Sequence, residues 1–312
     1  MIGGRARRTY RVMAAVVMAT GVLSACAPRM GATQNSAASR AMRGSLFIVG
    51  GGTQPPALIS EFIALAGGPG RALIAVVPMA SAEPVEAARE KVEQLVAGGA
   101  RALSLHVDRA QAEGDSAARL LDSVTGVWFS GGDQARLTPI LAGTPLLQAI
   151  RSRYHAGAVI GGTSAGAAIM TDSMITGEQY RDGVDTSAYY GDDFPAIARR
   201  AIEIVPGLGF LPGAIVDQHF IRRERHNRLI SVVLERPTML GIGIDEGTAL
   251  VVGPEGAWRV IGRSAALIYD ARQARVTDGG APVLGATDVR LHLVPAGGSF
   301  DPLSGRATLP GR

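Results

Sequence analysis

The segment 159–168 constrains the fold of this chain more than any other. It reads VIGGTSAGAA, so an apolar run leads into Gly-Thr-Ser-Ala-Gly. This pattern is typical of a nucleophile elbow, in which a buried strand ends, the backbone turns sharply and a helix begins just after the serine. Glycines flank such a turn because side chains there would clash. A glycine-rich turn with a helix-capping Ser164 explains the motif equally well, so the serine also needs partners before it indicates catalysis.

Short apolar segments alternate with helical patterns along most of the chain. Strands are predicted at 46–49, 72–77, 102–107, 127–129, 158–160 and 214–220, and helices at 56–66, 83–97, 110–123, 133–142, 145–155 and 222–235. Apolar strands separated by helices indicate a parallel sheet covered on both faces. Right-handed crossovers then give a doubly wound, mostly parallel α/β sandwich of three layers, with its site at the carboxyl ends of the strands. Such a sandwich resembles the flavodoxin-like and class I glutamine amidotransferase-like folds.

The second half of the chain is less regular. Further short strands are predicted at 239–245, 249–252, 258–261, 266–269 and 289–294, and the polar segment 178–193 is predicted to be a loop near the site. The sequence contains no internal repeat and no clear linker. We therefore expect one domain over residues 44–296, followed by a loose tail at 297–312.

The N-terminus predicts export. An apolar run at 12–23 follows a cluster of arginines, and Leu23-Ser24-Ala25-Cys26 then resembles a bacterial lipobox. We predict a lipoprotein signal peptide at 1–25, lipidation of Cys26 (the only cysteine) and a flexible tether at 26–43. The protein would then be anchored to the cell envelope through lipid alone. An ordinary signal peptide and a short membrane anchor are the alternatives, although the run is short for a membrane span.

The charge balance and the glycine motifs exclude two classes of ligand. The formal net charge of +4 is accounted for by the four arginines of the segment 1–25, so it does not indicate nucleic-acid binding. Gly50-Gly51-Gly52 lacks the spacing of a dinucleotide fingerprint, because Thr53-Gln54-Pro55 follows. A P-loop is absent, since Lys91 is the only lysine. We expect no cofactor and no metal.

A serine nucleophile needs a base within hydrogen-bond reach, and the base needs an acceptor that orients it. Among five histidines, His219 stands where a buried strand meets its loop, and strand ends of this kind converge on the elbow. The orienting acid could be Asp217, Asp245 or Glu246. A structural histidine and a capped turn are alternatives that the spacing alone does not reject.

Four motifs together resemble one family. They are GGTSAGA at the elbow, SGGDQ at 130–134, DQHF at 217–220 and GIDE at 243–246. They occur in the order of the serine peptidase family that holds cyanophycinase and the aspartyl dipeptidase called peptidase E. The resemblance runs from about Ser45 to about Tyr269. It implies a serine-type peptidase that cleaves cyanophycin, a polyaspartate whose β-carboxyls carry arginine, or related peptides. It also implies a homodimer.

The resemblance assigns a role to each matching position. Ser164 would be the nucleophile, His219 the general base and Glu246 the acid that orients the base. The backbone N–H groups of Gly132 and Ala165 would form the oxyanion hole. Substrate would be bound by polar and basic side chains from the same motifs and the segment after the histidine: Gln134, Asp217, Gln218, Arg223, Arg225 and Arg228.

The arginines support part of this assignment independently. Arg222 and the three arginines after it crowd the first turns of the predicted helix at 222–235. Guanidinium groups bind carboxylates bidentately, so the cluster predicts a site for an acidic substrate. A solvated helix face is the alternative. The four motifs do not include the segments 171–177 and 178–193, and no role is assigned to them, which leaves substrate choice open.

Three other functions stay open. An aspartyl dipeptidase closer to peptidase E would use the same residues on shorter substrates. An α/β-hydrolase esterase would use Ser164, an intervening acid and His292, although His292 lies within a predicted strand. A lipid-anchored binding protein for arginine-rich or acidic peptides would keep the scaffold without catalysis.

Overall fold

The structure, a computed structural model, describes residues 44–181, 184–185, 194, 196–277, 279–280 and 282–311. The predicted signal peptide, Cys26 and the tether at 26–43 therefore lie outside the described residues. Within the described part of the chain, the helices lack the length and apolar character that a bilayer crossing requires.

Five parallel strands form one side of the largest sheet. They are β1 (Leu46–Val49), β2 (Leu73–Val77), β3 (Arg101–Ser104), β4 (Gly126–Phe129) and β5 (Val159–Thr163). Their order across the sheet is β3-β2-β4-β5-β1, and each neighbouring pair is parallel. Since consecutive strands are not all neighbours, the chain must cross over the sheet through helices. The predicted mostly parallel α/β architecture is confirmed.

Helices cover both faces of this sheet. They are α1 (Pro56–Leu65), α2 (Pro84–Ala97), α3 (Arg109–Glu113), α4 (Asp115–Arg119), α5 (Leu137–Leu141), α6 (Pro145–His155) and the single turn α7 (Ala165–Ala168). A further helix, α8 (His226–Glu235), packs on a separate sheet described below. Side chains alternate along each strand between two cores. In β1, Phe47 and Val49 pack with α1 and α2, whereas Leu46 and Ile48 pack with the core of α3 to α6. This two-residue period on a sheet buried on both sides produces the three layers.

Local chemistry fixes where several helices begin. Asp108 accepts a hydrogen bond from the Gln111 backbone N–H, and the Gln111 side chain accepts one from the Asp108 N–H, which makes a capping box for α3. Thr144 accepts from Leu147 at the start of α6, and Pro145 occupies the first helical position.

Four antiparallel strands extend the sheet beyond β1. In sheet order they are β11 (Thr248–Val252), β12 (Trp258–Gly262), β17 (Ser299–Asp301) and β18 (Arg306–Thr308). The prediction of a loose tail at 297–312 is therefore wrong for these residues. The reason is a packing contact: Phe300 is 1% exposed and its ring lies 5.6 Å from that of Trp258.

A second sheet carries the other predicted site residues. Its strands, in sheet order, are β16 (Arg290–Pro295), β13 (Ala265–Asp270), β10 (Leu240–Ile244) and β9 (Ala214–Gln218). The last two are parallel, and their register places Gln218 opposite Ile244. His219 and Asp245 therefore follow neighbouring strand ends, which is why residues far apart in the sequence meet at one place.

Part of the predicted loop at 178–193 is a strand instead. Strand β6 (Ser173–Arg181) pairs antiparallel with β8 (Ile202–Pro206) and with β7 (Val184–Asp185). Met174 and Ile175 of β6 are buried, which ties the segment after the elbow to the core. A short pair, β14 (Arg275–Val276) and β15 (Ala286–Thr287), completes the described strands.

Candidate active site

Ser164 occupies a strained turn between β5 and α7. Its φ is 53°, in the left-handed region that non-glycine residues rarely adopt, and its side chain makes no helix-capping hydrogen bond. The interpretation of Ser164 as a helix cap is therefore wrong. Glycines are required nearby, because a Cβ atom on Gly162 would overlap with the Gly166 carbonyl and one on Gly166 with the Phe129 carbonyl. The tight turn leaves the hydroxyl free to face another side chain.

That side chain is His219. Its Nε2 lies 2.9 Å from Ser164 Oγ, and its Nδ1 lies 2.7 Å from Glu246 Oε1. A carboxylate only accepts, so the neutral imidazole carries its proton on Nδ1 and leaves Nε2 to accept from the serine hydroxyl. The structure thus brings together the three residues that the resemblance assigns to nucleophile, base and orienting acid. This is the geometry of a serine hydrolase triad.

The two other candidate acids have different partners. Asp245 accepts hydrogen bonds from the Arg222 backbone N–H at 3.0 Å and the Ser264 hydroxyl at 2.8 Å. Asp217 is fully buried and faces arginines. Among the three acids that the sequence left open, the structure brings only Glu246 to the His219 ring.

The alternative base, His292, belongs to another neighbourhood. It lies in β16 opposite Ile268, and its ring packs 5.1 Å from that of Phe300. The Ser164 hydroxyl already faces His219. The geometry therefore does not favour the esterase arrangement that would use His292.

The end of β1 and the glycine run that follows it connect the three segments that carry the triad. The Val49 carbonyl accepts from the Ser164 N–H at 3.0 Å, and the Gly50 carbonyl accepts from the His219 N–H at 2.6 Å. The Gly51 carbonyl accepts from the N–H of Gly247, the residue after Glu246, at 3.0 Å. This backbone ladder positions the three side chains against one loop. Sequence reasoning missed it, because the run was compared only with nucleotide-binding loops.

Gly51 and Gly52 of this loop must lack side chains. A Cβ atom on Gly51 would overlap with the His219 ring, and one on Gly52 would lie 2.8 Å from Glu246 Oε2. Both glycines also have positive φ, 107° and 66°. The signal that could have revealed this role is the run itself, three glycines directly after a buried strand.

The environment of His219 suits a general base. The side chain is 11% exposed, and this burial lowers the pKa of the imidazole below its usual value of 6.5. The hydrogen bond with Glu246 raises the pKa, while the positive charges of Arg223 and Arg225 lower it. The net direction is downward, so the ring is neutral at pH 7 and can accept a proton.

The predicted oxyanion donors lie on two turns beside Ser164. Ala165 begins α7, directly after Ser164. Gly132 lies in the turn after β4, and a Cβ atom built on the preceding Gly131 would lie 3.4 Å from Ser164 Cβ. Gly132 has a φ of 135°, and a Cβ atom there would overlap with the Ala80 carbonyl. Within the described residues, neither the Ala165 nor the Gly132 N–H donates to a backbone carbonyl. Gly132 is exposed, whereas Ala165 is fully buried at the base of the turn.

The arginine cluster does not form the start of a helix. Helix α8 begins at His226, and Glu224 just before it has a φ of 52°, which interrupts a helix. Arg222 and Arg223 lie in the preceding turns and are exposed. The predicted helix at 222–235 is therefore too long at its N-terminus. Arg225 and Arg228, in contrast, are buried.

Two residues predicted to bind substrate form a buried ion pair instead. Arg228 is 1% exposed and binds the fully buried Asp217 with two hydrogen bonds, Nε to Oδ2 at 2.7 Å and Nη2 to Oδ1. Arg225 is also buried; its Nη1 donates to the Gln218 carbonyl at 2.9 Å and lies 3.7 Å from Asp217. Asp217 and Arg228 are not accessible to a substrate. They hold the strand end that leads into His219.

The predicted substrate-binding glutamines have distinct environments. Gln134 is buried, and its Nε2 donates to the Ile175 carbonyl at 2.6 Å, which links the 130–134 turn to β6. Gln218 Oε1 is buried and accepts no hydrogen bond from the described residues. An acceptor next to His219 is thereby left for another donor.

A serine whose hydroxyl faces a histidine–carboxylate pair on an α/β elbow defines the class of serine-type hydrolases. The family model described as Peptidase family S51 matches residues 46–260 of the chain. The chain belongs to peptidase family S51, and it is a serine-type peptidase. The family resemblance drawn from the four motifs is confirmed.

Curated relatives and a solved structure agree with this assignment. The chain is 36% identical over 252 residues to the cyanophycinase of Synechococcus elongatus, covering 78% of this chain and 74% of that protein. It is 35% identical over 270 residues to the cyanophycinase of Geminocystis herdmanii (strain PCC 6308), covering 83% and 94%. A peptidase structure from an acI-B1 Actinobacterium matches at 23% identity with a TM-score of 0.61, covering 84% of this chain and 98% of that one. At this identity the structural match shows the fold.

Proposed function

We propose that this peptidase cleaves cyanophycin, or peptides built from the same arginyl-aspartate units, through an acyl-enzyme on Ser164. The observation that carries the proposal is the continuous hydrogen-bond chain from Ser164 Oγ through His219 to Glu246. It occurs in a chain that is similar over most of its length to proteins named cyanophycinase.

The geometry supports the following sequence of steps. Ser164 Oγ attacks the scissile carbonyl carbon while its proton moves to His219 Nε2. Glu246 stabilises the imidazolium, and the Ala165 and Gly132 N–H groups stabilise the oxyanion. The C–N bond breaks as His219 returns the proton to the leaving amine. Water then attacks the Ser164 ester and gives a proton to the His219 imidazole. The ester C–O bond breaks as the imidazolium returns the proton to Ser164 Oγ, which releases the acid product and restores the enzyme.

Two features beside the triad favour a substrate that carries both carboxylates and guanidinium groups. The positive charge of the exposed Arg223 reaches His219, since it lowers the pKa of the imidazole, and so it can also attract a substrate carboxylate. Gln218 Oε1 is an acceptor without a donor among the described residues, and a guanidinium group supplies such donors. Cyanophycin presents both groups in every repeat.

Product analysis tests the proposal. Purified protein lacking residues 1–25 would be incubated with cyanophycin, and the products would be identified by mass spectrometry. We expect fragments of arginyl-aspartate composition from the unsubstituted enzyme and none from Ser164→Ala. Aspartyl dipeptides lacking side-chain arginine, supplied in parallel, separate this function from a dipeptidase. Release of products by Ser164→Ala at the unsubstituted rate would contradict the acyl-enzyme proposal.

We also propose that the protein is exported and held at the cell envelope by lipid on Cys26. The support is the apolar run at 12–23 and the Leu-Ser-Ala-Cys motif that follows it. Metabolic labelling with a fatty acid should mark the full-length protein and leave Cys26→Ser unlabelled. Equal labelling of both would contradict lipidation at this cysteine. The homodimer implied by the family stays a prediction, which light scattering can test.

A further inference from the structure

A cavity of about 360 Å³ opens beside the elbow. Residues from four segments line it, including Gln54, Lys91, Gln94, Trp128, Ser130 and Thr163. Thr163 directly precedes Ser164, and Gly131 of the lining lies against Ser164 Cβ. The cavity therefore borders the proposed reaction centre, on a side that neither Arg223 nor Gln218 lines. We call it the Lys91 pocket.

The only lysine of the chain lies in this pocket. Lys91 Nζ donates to Gln54 Oε1 at 2.7 Å and to Gln94 Oε1, and it lies 4.4 Å from the ring centroid of Trp128. Among the described residues, no carboxylate forms an ion pair with it. Burial lowers the pKa of its ammonium group to about 8, so the group is still mostly protonated at pH 7. Glu90 also lines the pocket, and its charge raises the Lys91 pKa, but the groups in direct contact with Nζ are the neutral Gln54, Gln94 and Trp128. A half-buried ammonium without an ion-pair partner can bind an anion.

Two further polar groups of the pocket lack partners. Ser130 Oγ and Trp128 Nε1 are buried and make no hydrogen bond with the described residues. Ser130 is 5% exposed and Trp128 is fully buried. Buried polar groups in native proteins are nearly always hydrogen-bonded, so an orphaned hydroxyl and an orphaned indole N–H in one pocket indicate a missing ligand. The hydroxyl and the N–H can both donate to an oxyanion.

The pocket is also joined to the loop that positions the triad. Gln54 Nε2 donates to the Gly52 carbonyl at 2.5 Å and to Thr163 Oγ1 at 3.2 Å. Its Oε1 accepts from Lys91. One side chain therefore connects the ammonium group to the glycine loop and to the residue before Ser164. A ligand held by Lys91 would be fixed relative to the serine hydroxyl.

We propose that the Lys91 pocket is a subsite that binds a carboxylate of the substrate next to the scissile bond. This inference rests on the proposed peptidase function of Ser164. Arginyl-aspartate substrates offer two sources of the same chemistry, the main-chain terminal carboxylate and the α-carboxylate of the side-chain arginine. The pocket would hold one of them by the ammonium group and the Ser130 hydroxyl.

Three matched peptides test the subsite. One arginyl-aspartate peptide keeps both carboxylates, the second has a terminal amide, and the third has an amide on the arginine α-carboxyl. The unsubstituted enzyme should lose about 10- to 100-fold in kcat/KM on one of the two amides, as expected when a charge-assisted hydrogen bond is removed. Lys91→Met should cleave the peptide with both carboxylates as slowly as the unsubstituted enzyme cleaves that amide. Its kcat/KM values on the peptide with both carboxylates and on that amide should differ by less than about twofold.

Arg89→Met provides the matched control. Arg89 lies on the same helix, α2, and pairs on the surface with Glu86 and Glu93. Its loss removes the same charge without touching the pocket, so the preference for the acid should be retained. Equal rates of the unsubstituted enzyme on all three peptides would overturn the subsite, and this comparison needs no variant that might misfold. An undiminished acid preference in folded Lys91→Met would overturn it as well.

Calorimetry with Ser164→Ala separates the subsite from the catalytic proposal. The same three peptides would be titrated into this variant with and without Lys91→Met. Binding that depends on the carboxylate and on Lys91, combined with cleavage that does not need Ser164, would contradict the catalytic proposal alone. If cleavage requires Ser164 but binding depends neither on the substrate carboxylate nor on Lys91, the subsite alone would be contradicted. Absence of binding and of cleavage would contradict both.

Discussion

Gly51 lies so close to His219 that a single Cβ atom on the glycine would overlap with the imidazole ring. The φ of Gly51 is 107°, so alanine there would be strained as well as obstructed. The loop after β1 therefore limits the position of the imidazole ring by direct contact, in addition to the hydrogen bond that its Gly50 carbonyl accepts from the His219 N–H.

Gly51→Ala should consequently reduce kcat/KM by at least about 100-fold, because a displacement of about 1 Å is enough to misalign a triad. Steady-state kinetics on the cleaved substrate would measure this loss. Gly143→Ala is the matched control, since Gly143 also has a positive φ, 73°, but nothing lies within 4 Å of its Cβ position. Similar losses in both variants would mean that backbone strain, and not contact with His219, is responsible.

Glu246→Gln should lower kcat by about 10³- to 10⁴-fold while leaving the fold intact, because an amide can stabilise the wrong imidazole tautomer and cannot stabilise the imidazolium. The neighbouring Asp245→Asn should cost less than about tenfold, since Asp245 bonds to Ser264 and the Arg222 backbone. Single-turnover kinetics would measure both. If Asp245→Asn proved the more damaging of the two, the assignment of the orienting acid would be wrong.

The pH dependence of kcat/KM should report His219. The imidazole must be neutral to accept the serine proton, and its pKa is lowered from 6.5. Activity should therefore rise with pH through a pKa below 6.5 and level off above it. Arg223→Gln removes a positive charge that lowers this pKa, so the acidic limb should move to higher pH.

Arg222→Gln serves as the control for this shift. Arg222 is an exposed neighbour, and the positive charges that lower the pKa of His219 are those of Arg223 and Arg225. The acidic limb of the kcat/KM profile of Arg222→Gln should coincide with that of the unsubstituted enzyme. A limb that stays in place in Arg223→Gln would show that the Arg223 charge does not reach the imidazole.

The ion pair between Asp217 and Arg228 should matter for stability. Both side chains are almost completely buried, so Arg228→Met would leave a carboxylate without its main partner. We expect a loss of about 3–5 kcal/mol in the free energy of unfolding, measured in urea. Arg259→Met, which breaks the exposed pair with Glu61 at 3.1 Å, should cost about 1 kcal/mol or less. Replacing both buried partners should recover part of the loss.

The sequence was most informative where function depends on local chain geometry. The elbow could be read from VIGGTSAGAA because a buried strand, a glycine-flanked turn and a helix start each leave a pattern within a few residues. The alternating strands and helices likewise follow from side-chain periodicity. The C-terminal strands escaped prediction, since Ser299–Asp301 owes its place to one buried ring, Phe300, and not to a repeating pattern.

Partners across long separations were decided by tertiary structure. Ser164 and His219 are 55 residues apart, and His219 and Glu246 are 27 apart. Sequence spacing could not choose among three acids, because the choice depends on the register of β9 with β10. The same strand end turns Asp217 inward to Arg228, so two residues that the family resemblance assigned to substrate binding form a buried ion pair instead.

By itself, the sequence therefore determined the layered α/β fold, the elbow and the order of its motifs, because these follow from local periodicity and turn chemistry. The family resemblance assigned Glu246 as the acid beside His219, and the tertiary structure gives the contact between them. Only the tertiary structure decided that Gly50-Gly51-Gly52 supports the triad. It also decided that the only lysine lies in a pocket beside Ser164. The physical reason is that hydrogen bonding and close packing depend on distances in space, which strand register and sheet packing set and which a linear pattern does not contain.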